Sequence, residues 1–426
     1  MILKGKRLLI LGGTYNTRDI REYADEMGIV LVATGNNSNH PLVKISDEYY
    51  CADVYNSDQI VKLIREKKID GVFVGGNEDI IFKIFDVIDQ TNIFFYATRE
   101  QWRITGNKKL LKQEFVKAGL PVVPEYILSS SPTIRELQTI PFPVVVKPVD
   151  GSGSKGVYLC ENSNDVIENI PKTLHHSRSG QFIVERFMRG FIVVFYITVI
   201  NDKCYAASMC DKYSPLASDG SNKMPTIAQV YLYPSRHLQS CLEKYFPAME
   251  KLIHNLNIHD GVVGIQGFFE ENDFFFTEIG YRLGGTSQQN YTKYLNNYSN
   301  MFLLMNYALT GKMTEEPCNE NPFFNKTCGT LQLISKGGRV GRIEGVESVR
   351  NMVEVISLEQ HYDIGDTIPV VDNVSMVHFR IFIVSNDIEH LKKSIRYIQT
   401  ILKVYNDDDE NMLMEDFDVD RLDTNY

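Results

Sequence analysis

The chain has 426 residues, 43% of them hydrophobic, and a formal net charge of −10. That length supports two or three domains around a large core. The acidic balance argues against non-specific nucleic-acid binding, which rests on Lys and Arg neutralising phosphates. MILKGKRLLILGG, at the start, lacks a small-residue cleavage site and reads as a first strand; no apolar run approaches the ~20 residues of a membrane span. Seven scattered cysteines (Cys51, Cys160, Cys204, Cys210, Cys241, Cys318, Cys328) include no CxxC pair. They fit a reducing cytoplasm, and neither a disulfide framework nor a zinc site.

Residues 1–107 alternate strand and helix. Arg7–Leu11 reads as a strand, Thr17–Met27 as a helix and Ile29–Ala33 as a second strand. Ile60–Lys67 reads as helical, Gly71–Val74 as a third strand and Ile80–Ile88 as another helix, and Phe94–Ala97 closes the unit. Strands joined by helical crossovers imply a parallel sheet with helices on both faces. The LGGT turn after the first strand lacks the full GxGxxG pattern, so it reads as a tight strand-to-helix turn and not as an NAD site. Asn107–Gly119 reads as a charged amphipathic helix with Gly119 at its C-cap and Pro121 and Pro124 beyond.

Residues 120–190 read as an α/β unit, and 191–310 as strand-rich with helices at 237–256 and 291–309. From Thr327 short strands alternate with turns, followed by a strand at 377–384 and a helix at 387–402. The tail from Asp407 is acidic and reads as a solvated end, with Met412, Leu413, Met414 and Phe417 able to dock on a neighbour.

The chemistry concentrates in three stretches. In FPVVVKPVDGSGSKGV, an apolar run (Val144, Val145, Val146) delivers Lys147. A loop of Gly151, Ser152, Gly153, Ser154, Lys155 and Gly156 follows. A fixed cation followed by closely approaching backbone N–H groups suits a nucleotide phosphate. A second lysine, Lys108 or Lys109, starts the preceding helix; two cations from different elements can pinch a polyphosphate. In FIVERFMRG, a strand ends at Glu185, followed by Arg186, Phe187 and Met188. Backbone groups there can read an adenine edge while apolar side chains cover its face.

The third stretch, GIQGFFEENDFFFTEIGYRLGG, reads as a hairpin about Glu271-Asn272-Asp273, with Gln266 and Glu278 on its two arms. Glu278 sits in an apolar context where an unpaired buried carboxylate is costly. Facing Mg²⁺ and phosphate resolves that cost; an ion pair to Arg282 is the structural alternative. Arg282 has the chemistry to stabilise charge on a transferred phosphoryl group. Asp211–Tyr213 and the polar SPLASDGSNKMP after it read as a loop over the substrate site, with Lys212 reaching a phosphate or a carboxylate.

In this order, the N-terminal α/β unit, the N-K helix with AGLPVVPEY, FPVVVKP with its glycine loop, VERFMRG and EIGYRLGG resemble the ATP-grasp superfamily. The resemblance runs from about residue 4 to about residue 310. It implies an α/β fold with α+β lobes. A pre-ATP-grasp domain would span 1–107 and an ATP-grasp domain 108–310, with a mobile lid at about 120–190. A small C-terminal α+β lobe would span 311–404 and an acidic tail 405–426. It also implies a cytoplasmic, ATP- and Mg²⁺- or Mn²⁺-dependent carboxylate–amine ligase. Such a ligase works through an acyl phosphate on an amino acid or small carboxylate, needs neither nucleic acid nor membrane, and forms a homodimer. The alternative is a catalytically weak ATP- or ADP-binding regulatory or partner subunit.

By the same resemblance, Lys108 and Lys147 contact ATP phosphates and Gly151–Gly156 close over them, with Ser152, Ser154 and Lys155 as donors. Glu185, Arg186, Phe187 and Met188 line the nucleotide site. Gln266 and Glu278 hold the metal, and Arg282 and Lys147 act at the reacting phosphoryl group. Two positions depart from the family's pattern: Ile192 stands where a ribose-binding Glu is common, and Gly280 where a metal-binding Asn is common.

Overall fold

The structure is a computed structural model that describes residues 3–12, 17–38, 40–151, 153, 155–215, 227–313, 320–371 and 373–422. Its N-terminal unit is a four-stranded parallel sheet in the order Glu48–Tyr50, Val30–Thr34, Arg7–Leu11, Gly71–Val74. Gly71–Val74 is thus the fourth strand in sequence. The extra edge strand, Glu48–Tyr50, is three half-buried residues long, too short to carry a periodic signal. Phe94–Ala97 forms no strand. Its aromatic side chains are used for packing across to another lobe, with Tyr96 edge-on to Tyr281 at 5.2 Å.

Helix Lys108–Ala118 follows. The Asn107 side chain accepts hydrogen bonds from the backbone N–H groups of Lys109 and Leu110, and Gly119 closes the helix at φ +95°. The left-handed C-cap is where a glycine is needed. Leu111, Phe115 and Ala118 bury the inner face.

A small antiparallel sheet comes next, in the order Glu125–Tyr126, Phe182–Arg186, Val144–Pro148, Tyr158–Cys160. Helix Ser163–His175 covers one face, joining Val166 to a core of Leu137, Val144, Val146, Cys160 and Val184. Because side chains alternate along a strand, burying Val144 and Val146 on this core fixes the facing of their neighbours.

The largest element is an eight-stranded antiparallel sheet. Its order is Asp273–Gly280, Gly261–Glu270, Phe191–Ile200, Lys203–Tyr213, Val230–Tyr233, Thr327–Ile334, Val377–Ser385, Val355–Gln360. Hydrogen bonding is continuous across residue 310, since Val230–Tyr233 pairs with Thr327–Ile334. Asp211–Tyr213 ends a strand and is not a loop: Asp211 and Tyr213 are buried and pair with Leu232 and Val230. Residues 216–226 of the polar segment after it lie outside the described residues.

The stretch 291–309 is two helices, Gln289–Asn296 and Asn300–Thr310, because Asn297 takes a left-handed conformation at φ +58°. The acidic tail is docked and not solvated. Met412, Leu413 and Phe417 are buried, and the backbone N–H groups of Lys336 and Met414 donate to Met412 and Ile334. Met414 is exposed and takes no part in the buried face. The carboxylates stay outward, where Arg339 meets Asp407 and Arg396 meets Asp420, both at 2.6 Å.

Candidate active site

A cavity of about 340 Å³ lies between the small sheet, the large sheet and the N-terminal unit. Lys108 enters it from the first turn of its helix. The Lys108 backbone N–H donates to Val149 O at 2.8 Å, and its Nζ donates to Gly151 O at 2.8 Å. The same Nζ lies 3.6 Å from Glu278 Oε1. The helix start is therefore tied both to the loop after Lys147 and to the hairpin.

Lys147 and Glu185 come from neighbouring strands whose register pairs Val145 with Glu185 and Lys147 with Ile183. Lys147 Nζ meets Glu185 Oε2 at 2.5 Å, with both residues buried at 8% and 3% exposure. Glu185 also pairs with Lys112, which reaches Glu125 at 3.2 Å. Burial works against charge on Lys147, but the Glu185 and Glu278 carboxylates outweigh it and hold the ammonium above its ordinary pKa.

Gln266 and Glu278 are cross-strand partners on the hairpin, whose two-residue turn, Glu271-Asn272, has φ of +53° and +61°. That conformation matches a tight antiparallel connection. A register shift after Gln266 places Gly267 opposite Phe276. Glu278 is not the buried carboxylate its apolar neighbours suggest, for its side chain borders the cavity and keeps 47% exposure. Desolvation favours its neutral form, yet the fields of Lys108, Lys147 and Lys212 prevail and hold the carboxyl below the usual range.

Arg282 does not pair with Glu278. Its Nε and Nη2 both donate to Glu78 Oε1, at 3.0 and 2.7 Å. Glu78 is the first residue of helix Glu78–Ile88, so the N-terminal unit supplies a wall of the cavity. Lys212 lines the cavity from a strand end, in register with Ile192 and Tyr231. Burial lowers the pKa of its ammonium, against the opposing field of Glu278.

Residues 107–286 match the family model for the carbamoyl-phosphate synthase L chain, ATP binding domain. A formate-dependent phosphoribosylglycinamide formyltransferase of Prochlorococcus marinus is 21% identical over 282 residues, 65% of this chain and 70% of that protein. Among solved structures, the biotin carboxylase domain of the Hydrogenobacter thermophilus 2-oxoglutarate carboxylase was determined with MgADP and bicarbonate. It superposes with a TM-score of 0.77 at 16% identity, over 96% of this chain and 91% of that one. An L-amino acid ligase from Bacillus licheniformis superposes at 0.74 with 18% identity, over 95% and 99%. Residues 107–286 are an ATP-grasp domain.

Within the ATP-grasp domain, Lys108, Lys147, Gly151, Gly153, Lys155, Glu185, Arg186, Phe187, Met188, Gln266, Glu278 and Arg282 all line the one cavity. Gly156 packs against His176 instead: a Cβ there would lie 2.9 Å from His176 Cβ. Ser152 and Ser154 lie outside the described residues. The Arg186 guanidinium is taken up by Glu270 at 2.7 Å. Asp150 anchors the loop's start by accepting from Ser177 Oγ, at 2.7 Å, and from the backbone N–H groups of Arg178 and Ser179. The departures from the family's pattern are also at the cavity, where Ile192 and Gly280 are lining residues.

Sequence reasoning missed Lys112 and Glu78. Lys112 stands four residues after Lys108 on the same helix, a spacing that signals a shared face. Glu78 had no such signal, because its partner Arg282 is 204 residues away.

Proposed function

We propose that the chain is an ATP- and Mg²⁺-dependent carboxylate–amine ligase acting on an amino acid or small carboxylate through an acyl phosphate. The observation that carries this reading is the convergence of Lys108, Lys147, Glu278 and Arg282 on one cavity, from a helix, a strand of the small sheet, and a strand of the large sheet with the turn just after it. In this reading Lys108 and Lys147 grip the ATP phosphates, the loop from Gly151 covers them, and Phe187 and Met188 flank the base.

The donor set fits Mg²⁺. Glu278 is held ionised, Gln266 is its cross-strand partner, and a small hard cation needs few protein oxygens when phosphates and water complete its shell. Bound there, Mg²⁺ supplies charge neutralisation at the phosphates. Gln266 and Glu278 would hold it, with Glu278 exchanging its contact to Lys108 for the metal.

A substrate carboxylate oxygen attacks the γ-phosphorus, and ADP leaves with the bridging electron pair. The amine nitrogen then attacks the acyl carbon, forming C–N while the C–O bond to phosphate breaks; phosphate departs and the nitrogen loses a proton. Arg282 orients and stabilises the transferring group, held in place by Glu78. Catalysis is mostly positioning and electrostatics. No helix among the described residues is long and apolar enough to cross a membrane, and the reading needs none.

ADP release, measured across a panel of carboxylates and amines, tests the reading. The expected result is ADP formation that requires one of each. ADP that is bound but never formed from ATP would instead favour a regulatory, nucleotide-binding subunit.

A further inference from the structure

The floor of the cavity continues across the large sheet into a polar wall that the reading above does not use. Register carries the floor from Ile192 to Lys212, Tyr231, Thr330 and Phe382. The neighbouring row on the same face runs from Gln332 to Arg380 to Glu359. Arg380 stands at its centre. Its Nε donates to Gln332 Oε1 at 3.0 Å, and its Nη1 to Ser287 Oγ at 3.2 Å and Glu359 Oε2 at 3.3 Å. Nη2 makes no hydrogen bond among the described residues.

This wall adjoins the cavity through residues beside it and does not itself line it. Tyr231 and Val374 both line the cavity, and Val374 lies just before the strand that carries Arg380. Burial pushes the Tyr231 phenol up to about 12, and the nearby Arg380 charge partly opposes that. Gly285, between Arg282 and Ser287, faces open space where a Cβ would stand.

The wall is also under-used. Gln288, next in sequence to the Arg380 partner Ser287, is fully buried, yet neither its Nε2 nor its Oε1 has a hydrogen-bond partner among the described residues. Glu359 Oε1 is unpartnered as well. Buried polar groups normally find partners, so a fully buried amide with two orphan atoms signals a missing one. The charge at the wall selects what that partner is. Glu359 takes only Nη1 of Arg380, so Nη2 can still donate to one oxygen of a carboxylate, a smaller charge beside Glu359 than a phosphate dianion brings. Gln288 Nε2 is a free amide donor of the kind a carboxylate oxygen accepts from.

We propose that Arg380 and Gln288 recognise the carboxylate end of an amino-acid acceptor, leaving its amine directed toward the nucleotide cavity. This rests on the ligase reading and narrows its amine substrate to one class. Arg380 and Gln288 are specificity-determining residues here, remote from the phosphoryl transfer.

The test is binding to the full chain loaded with ADP and Mg²⁺, by calorimetry, of L-amino acids and the matching amino-acid amides. At least one amino acid is expected to bind ten-fold or more tightly over its amide. Arg380→Met should erase that preference while leaving ADP affinity unchanged. Gln288→Glu, which sets a carboxylate beside the site, should turn the preference toward the amide. A preference that survives Arg380→Met, or a wild-type chain that does not distinguish acid from amide, overturns the proposal. If Arg380→Met does not fold, the wild-type comparison and Gln288→Glu decide. Discrimination of acid from amide without any ADP formation would sink the ligase reading alone. ADP formation driven equally by amines lacking a carboxylate would sink this proposal alone.

Discussion

Glu185 is the pivot of the small sheet, and its loss is predicted to cost more than the loss of the lysine it serves. Glu185→Gln leaves Lys147 buried without its 2.5 Å partner and leaves Lys112 with Glu125 alone. Removing one member of a buried pair costs about 3–5 kcal/mol, because a desolvated charge remains. Lys147→Met removes the charge together with the contact, and Glu185 keeps Lys112. The expected cost there is about 1 kcal/mol, the net worth of a hydrogen bond.

Amide hydrogen exchange in strands Val144–Pro148 and Phe182–Arg186 reads this locally. At 1.4 kcal/mol per factor of ten, Glu185→Gln should speed exchange roughly a hundredfold to a few thousandfold. Lys147→Met should speed it by less than about tenfold. Both variants should lose ATP turnover, one through the fold of the small sheet and one through the site. Equal exchange in the two variants, or faster exchange in Lys147→Met, would refute the reasoning.

Other expectations follow from individual residues. Phe417→Ala should destabilise the chain by about 3–5 kcal/mol, as large buried aromatics do, whereas exposed Met414→Ala should stay within about 0.5 kcal/mol; thermal denaturation compares them. Glu320, beside Tyr298, has its pKa raised from 4.5 to about 8 by burial. The folded chain therefore holds a proton that the unfolded chain has lost, so stability from this group is full below about pH 4.5 and declines toward pH 8. Urea titrations at pH 5 and pH 8 should show that decline in the wild type and a smaller one in Glu320→Gln; identical slopes would contradict it. Glu278 works in the opposite direction. Its depressed pKa gives stability that is present above about pH 4.5 and lost as pH falls through the folded value, so Glu278→Gln should flatten the acid limb of the same titration. Gly190→Ala would put a Cβ 2.1 Å from Phe269 O, and should loosen the link between the two sheets, seen as faster exchange at Phe191–Ile200.

Local signals in the sequence were readable and long-range ones were not. The cap residues Asn107 and Gly119 mark their helix because they bond to their own neighbours. Gln266 and Glu278 lie symmetrically about a three-residue turn in the sequence; the turn has two residues, and the register shift after Gln266 is what sets the two side chains opposite one another. Lys212 reads as loop because its strand turns polar at its end, and pairing with Phe191–Ile200 on one side and Val230–Tyr233 on the other is what holds it extended. The tail's charges concealed its docking: the acidic residues face out and Met412, Leu413 and Phe417 do the packing. Arg282's partner, Glu78, and the Arg380 row depend on elements brought together only by the folded sheet.

The central claim is that an acyl phosphate forms in this cavity. The most direct measurement uses the carboxylate that drives ADP release, labelled with heavy oxygen, and follows the inorganic phosphate by mass spectrometry. An acyl phosphate passes one carboxylate oxygen to phosphorus, so each phosphate released should carry one label. Unlabelled phosphate accompanying amide formation would contradict the account.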